Sequence, residues 1–138
     1  MIAAHASLLH ALGQFDEAET LLRQAMAIRA EKLGTDHPDY ATTLNNLAFV
    51  LRDKGDTDEA ETLHRQAKAI QAEKLGTDHP DYAQTLNNLG TMLHDKGDTA
   101  EAETLHRQAK AIRAKKLGTD HHDYAATLGN LAAVLRDK

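Results

Sequence analysis

The chain has 138 residues, 41% of them hydrophobic but only 4% aromatic, with two prolines, eight glycines, no cysteine and a formal charge of −5. That charge, with no Lys/Arg run longer than two, argues against a nucleic-acid partner. The lack of cysteine excludes disulfide and thiolate chemistry and makes the cytoplasm the expected location, while no stretch reads as a targeting or membrane-spanning segment. Ala, Leu and Ile must fill the core, which suits closely approaching helices, and strong helix formers without β-branched runs make the expected class all-α.

In chain order, Met1 to Leu12 reads as a helix short of its leading turn, Gly13 as its stop, and 15–33 as a second helix. LGTDHPDYA then appears at 33–41, again at 75–83, and as LGTDHHDYA at 117–125, a fixed period of 42 residues. Residues 35–76 and 77–118 differ at only eight positions. Within Pro38 to Lys54, Tyr40, Leu44, Leu47, Ala48 and Leu51 fall on one helical face. We term this helix A; Asp36 or His37 can cap it, Pro38 fits its first turn and Asp39 complements its dipole. Gly55 ends helix A in the left-handed conformation, and Asp56 or Thr57 caps helix B, whose stripe is Ala60, Leu63, Ala67, Ile70 and Leu75, closed by Gly76. Copies of B are expected at 15–33, 57–75 and 99–117, and a last helix A at Asp123 to Lys138. The expected order is A-B, A-B, A-B, A, about seven helices in units 1–34, 35–76, 77–118 and 119–138, with every glycine at a helix end.

Leu47-Ala48, Leu51, Gly55-Asp56, Glu59-Ala60 and Ala67 resemble the tetratricopeptide repeat pattern. HPDYATTLNNLAFVLRDKGDTDEAETLHRQAKAI is similar to the 42-residue variant of kinesin light chains and many bacterial repeat proteins. The resemblance covers essentially the whole chain and implies a right-handed α-solenoid of antiparallel helix hairpins, a non-catalytic protein-interaction module whose A helices line a concave groove. Three features depart from the pattern: Thr57 and Thr99 replace the aromatic that Phe15 supplies in the first repeat, Leu22, His64 and His106 replace the aromatic of helix B, and His122 replaces proline.

Opposite the core stripe, helix A presents Thr42, Asn46, Phe49 and Asp53, flanked by Asn45 and Arg52. The next copies present Gln84, Asn88, Thr91 and Asp95, flanked by Asn87 and His94, and then Ala126, Asn130, Ala133 and Asp137. An amide both donates and accepts, so an Asn ladder can pair with the backbone of an extended peptide of a protein partner, while the varied positions set specificity. The same variation is also what unconstrained surface positions would show.

The nine histidines form no closed metal set, and His64 and His106 read as rings packed between helices A and B. No cofactor site, catalytic order or phosphate loop is visible, and Glu59, Glu61, Arg65, Lys68, Glu73 and Lys74 read as a solvated face of mixed charge. Two other roles stay open: a structural or self-associating segment of a longer array, and regulatory sensor repeats of a larger signalling protein. Tyr124, Leu128, Leu131 and Leu135 repeat the internal stripe with no following helix B, which makes a homo-oligomer through the terminal helices an expectation.

Overall fold

The computed structural model describes the backbone of residues 2–138 and the side chains of residues 13–138. Six α-helices follow one another: α1 Ile2–Leu33, α2 Pro38–Lys54, α3 Thr57–Lys74, α4 Pro80–Asp95, α5 Thr99–Lys116 and α6 His122–Arg136. Each packs on its sequence neighbours, most extensively α2 on α3 and α4 on α5. The result is a right-handed α-solenoid of helix hairpins, with α2, α4 and α6 as A helices and α3, α5 and the latter part of α1 as B helices.

The A helices begin alike because the same cap recurs. The Nδ1 atoms of His37, His79 and His121 accept the backbone N–H of Asp39, Asp81 and Asp123, each at 3.0 Å. Of the two candidate caps at the first site, the imidazole takes the role, and it works as well before His122 as before proline. At the other end, Gly55 sits at φ 98°, the Asp56 N–H reaches the Leu51 carbonyl at 2.8 Å and the Gly55 N–H reaches that of Arg52 at 3.0 Å. This six-to-one closure needs a left-handed residue, and Gly97 repeats it.

Gly13 does not repeat it. Helix α1 passes through it unbroken, so the described chain has six helices rather than about seven. In the internal copies the N-cap Asp56 or Asp98 follows the glycine, whereas here Gln14 follows, a good helix former that does not cap. A lone glycine lowers helix stability by about 1 kcal/mol and does not by itself end a helix. Gly90 and Gly129 also lie inside helices, contrary to the expectation for glycines. Gly90 answers to packing, since a Cβ there would stand 2.8 Å from Nε2 of His106.

Two apolar clusters form the core. Leu44, Leu47, Leu51 and Leu63 build the first, with Met92 of the next repeat inserted; Leu86, Leu89, Leu93 and Leu105 build the second, with Val134 inserted. Fully buried Ala41, Ala48, Ala60, Ala67, Ala83, Ala102 and Ala109 let the helices approach closely.

Candidate functional site

The faces of α2, α4 and α6 opposite the core form a continuous surface. Thr42, Asn46, Phe49, Asp53, Gln84, Asp95, Ala126 and Asp137 are exposed on it, and Asn88, Thr91, Asn130 and Ala133 are half-buried. Between α2 and α4 this surface sinks into a cleft of about 440 Å³, lined by Thr42, Asn45, Asn46, Phe49, Gln71, Asp81, Gln84 and Asn88. Phe49, 54% exposed, is its one aromatic. The amides are partly organised: Gln84 Nε2 donates to Asn88 Oδ1 at 2.8 Å, while Gln84 Oε1 accepts from Arg113 at 2.7 Å.

The flanking asparagines have another task. Asn87 is only 3% exposed; its Nδ2 donates to Thr127 Oγ1 and its Oδ1 faces Nδ1 of His106, both at 2.7 Å. Asn45 does the same with Thr85 at 2.7 Å and His64 at 2.8 Å. These amides tie helix A to its own helix B and to the next helix A, so Asn45 and Asn87 are not free to read a peptide. Their azimuth on helix A is as expected; their partners lie 19 and 40 residues away and leave no mark on a single-helix projection. Thr85 also donates to buried Gln71, where the other repeats place an arginine: Arg29 on Thr43 at 2.6 Å and Arg113 on Thr127 at 3.0 Å.

That tie fixes the state of the two buried rings. Since Asn Nδ2 donates to a threonine, Asn Oδ1 is the atom facing the ring, and a carbonyl only accepts, so His64 and His106 carry the proton on Nδ1. The other nitrogen of His106, Nε2, is buried with no hydrogen-bond partner. Protonating it would place an N–H against Gly90 with nothing to receive it. Burial accordingly pushes both rings down to about 4, assisted by the positive charge of Arg52 at His64 and by His94 at His106.

Charged pairs continue the ties. On the groove side Arg52 meets Asp95 at 2.8 Å and His94 meets Asp137 at 2.7 Å, so four predicted groove residues already hold neighbouring A helices together. On the outer side Arg23 reaches Glu59 at 3.1 Å and Arg65 reaches Glu101 at 3.0 Å, partners 36 residues apart in both cases. Lys54 pairs with Asp16 and Glu19, and Lys96 with Asp58 and Glu61. Hydrogen bonding to Arg65 holds the Glu101 carboxyl below its usual range. The face expected to be merely solvated is therefore stitched from repeat to repeat at Glu59, Glu61 and Arg65, and the recurring 36-residue offset of opposite charges was the available signal. Lys74 meets Asp36 at 3.3 Å within one repeat.

The described histidines are thus caps, buried ties or, at His94, a hydrogen-bond partner of Asp137, apart from His122, which opens α6; the side chains of His5 and His10 lie outside the described residues. No three potential metal ligands gather among the described residues, and no described helix is long and apolar enough to cross a membrane.

The chain matches the tetratricopeptide repeat family over residues 1–70, 40–115 and 84–138. Among solved structures it is similar to nearly identical repeats of a putative kinesin light chain from Podosopora anserina, at 32% identity and a TM-score of 0.84, covering 96% of this chain and 63% of that one. It is also similar to BtubC (BKLC) from P. vanneervenii, at 28% identity and a TM-score of 0.83, covering 95% and 52%. The type III secretion translocator chaperone SycD of Yersinia enterocolitica, at 16% identity and a TM-score of 0.67 over 97% of this chain and 81% of that one, shares the fold. No curated protein sequence matches. The chain thus spans less than two thirds of the length of the first two of these relatives. The chain belongs to the tetratricopeptide repeat family, in its kinesin-light-chain-like form, and is a protein–protein interaction module.

Proposed function

We propose that the groove receives an extended peptide segment of a partner protein, without catalysis. The observation that carries this reading is the row of Asn46, Asn88 and Asn130, one per A helix at the repeat spacing, the first two lining a cleft together with exposed Phe49. These amides, unlike Asn45 and Asn87, are not committed to ties between helices. Each offers donors and an acceptor to a peptide backbone whatever its side chains. Neighbouring positions change from repeat to repeat, Thr42 to Gln84 to Ala126 and Phe49 to Thr91 to Ala133, and set which side chains are accepted.

The test is affinity capture on the tagged chain, with cross-linked peptides read by mass spectrometry, followed by titration of the peptide recovered. Mutating Asn46, Asn88 and Asn130 together to alanine is expected to abolish binding with little change in helicity or melting temperature, because such positions contribute within about 0.5 kcal/mol each. Phe49→Ala alone should weaken the peptide roughly tenfold through loss of the apolar anchor. Undiminished binding by the triple variant, or cross-links confined to the outer face of α3 and α5, would overturn the reading.

A further inference from the structure

Two of the three B helices send an arginine to the first turns of the next A helix. Arg29 of α1 donates through one Nη to the Asp39 carbonyl at 3.0 Å and to Thr43 Oγ1 at 2.6 Å. Arg113 of α5 donates in the same way to the Asp123 carbonyl and to Thr127 Oγ1, both at 3.0 Å, and its other Nη crosses to Gln84 Oε1 of α4 at 2.7 Å. In α3 the corresponding residue, 42 positions from each, is Gln71. A glutamine ends two bonds short of a guanidinium nitrogen and carries no charge. Its Oε1 accepts from Thr85 Oγ1, and among the described residues no arginine N–H reaches the Asp81 carbonyl, the counterpart of the Asp39 and Asp123 carbonyls.

The missing guanidinium coincides with the cleft between α2 and α4, which Gln71, Asp81 and Thr42 all line. Thr42 stands one repeat before Gln84, the residue that receives the second Nη of Arg113. Its hydroxyl donates to the Pro38 carbonyl at 3.2 Å, which leaves the oxygen able to accept. Asp81 is the one charged residue in the lining. The imidazole nitrogen 4.0 Å from its carboxylate, Nδ1 of His79, accepts the Asp81 backbone N–H and so carries no proton. Arg52 is paired with Asp95, and Arg113 is held by its three acceptors, so neither supplies the cation. In the third repeat that charge is matched within the chain: burial depresses Arg113 and the charge of Asp123 works against it. Three of the eight positions at which residues 35–76 and 77–118 differ, 42, 49 and 71, line this one cleft, so the two copies share a framework and part company in what the cleft can hold.

We propose that the cleft between α2 and α4 takes an arginine side chain of the partner's peptide, its guanidinium standing where Arg29 and Arg113 stand in the neighbouring repeats. One Nη donates to the Asp81 carbonyl and the other to Thr42 Oγ1, while the Asp81 carboxylate supplies the opposite charge. Lysine fits less well, because one ammonium nitrogen does not span two acceptors as a planar fork does. This arginine site rests on the reading of the groove as a peptide site, and it adds the selecting element: the amide row holds the backbone, and the place left open by Gln71 selects a basic residue.

The probe is a random phage-displayed library of peptides about nine residues long, roughly 30 Å when extended, selected on the full chain. The peptides recovered are expected to share an arginine. Replacing it by citrulline, which keeps the shape and loses the charge, should weaken binding about tenfold or more, and lysine should weaken it severalfold. Gln71→Arg places the chain's own guanidinium in the cleft, as two repeats already do, and should weaken the arginine peptide about tenfold while leaving the citrulline peptide unchanged. Asp81→Asn, which keeps the carbonyl and removes the charge, should act on the arginine peptide alone; it serves, with Thr42→Val, if Gln71→Arg fails to fold. Recovered peptides without a shared arginine, or an arginine peptide indifferent to these variants, would overturn the proposal. If such peptides are still lost on mutating Asn46, Asn88 and Asn130 together to alanine, the groove reading stands without it. Peptides weakened by Gln71→Arg but untouched by that triple change would keep the arginine site and remove the amide row. If the library yields no binder, N-acetyl-arginine methylamide titrated into the isotope-labelled chain should give saturable amide shifts at Gln71, Asp81 and Thr85 that the citrulline analogue and Gln71→Arg abolish; their absence would equally overturn the proposal.

Discussion

Lowering the pH from about 6.5 to about 4 is expected to remove several kcal/mol of folding stability, a large part of the roughly 5–15 kcal/mol that holds a domain together. His64 and His106 are held down to about 4 in the folded chain and return to about 6.5 on unfolding. A depressed folded value means that the unfolded chain binds the proton first. Stability is therefore full above the unfolded value, falls as pH drops through the window, and loses nothing more from these rings below about 4. Each ring contributes a slope of up to about 1.4 kcal/mol per pH unit inside the window. The carboxyls do not compete there: Glu61, depressed chiefly by hydrogen bonding to Lys96, and Glu101, by hydrogen bonding to Arg65, begin to matter only below their ordinary value of 4.5. Urea unfolding at fixed pH measures the slope. His64→Phe with His106→Phe should be less stable at pH 7.5, because Asn45 and Asn87 lose an N–H donor, yet nearly flat across the window. An undiminished slope in the double variant would place the acid sensitivity elsewhere.

Asn87→Ala and Asn88→Ala, adjacent and chemically identical changes, should differ by about 2–4 kcal/mol in stability. Removing the Asn87 amide leaves the Nδ1–H of buried His106 without an acceptor, takes a donor from Thr127 and opens a void between three helices. Removing the Asn88 amide frees Gln84 Nε2 at the edge of an open cleft, where water replaces it, so the effect should stay within about 0.5 kcal/mol. Asn45→Ala should follow Asn87→Ala at a reduced magnitude, since Asn45 is half-buried. The same urea titrations decide the matter, and equal losses at positions 87 and 88 would refute the division between tying and groove-facing asparagines.

Features with causes inside one helix or one turn were legible in the sequence. The 42-residue period, the leucine stripes of both helix types, Pro38 after its cap, and Gly55 with Asp56 beyond it each depend on neighbours within a few residues, so helices, turns and core follow from the residues themselves. The row of Asn46, Asn88 and Asn130 opposite the core stripe was legible for the same reason, because the angle of a side chain about its helix depends only on spacing. Spacing does not say what stands opposite. Asn45 projects beside Asn46 on the wheel, but only the stack brings His64 and Thr85 to it. Arg65 and Glu61 look solvated until Glu101 of the next repeat arrives beside them. At Gly13 local similarity misled: helix α1 runs through it, and the residue that follows is Gln14, a good helix former, where Asp56 and Asp98 follow the two later glycines. Tertiary structure alone decided which polar groups are buried, because burial belongs to the space between helices, and that space is made by residues 14 to 43 positions apart.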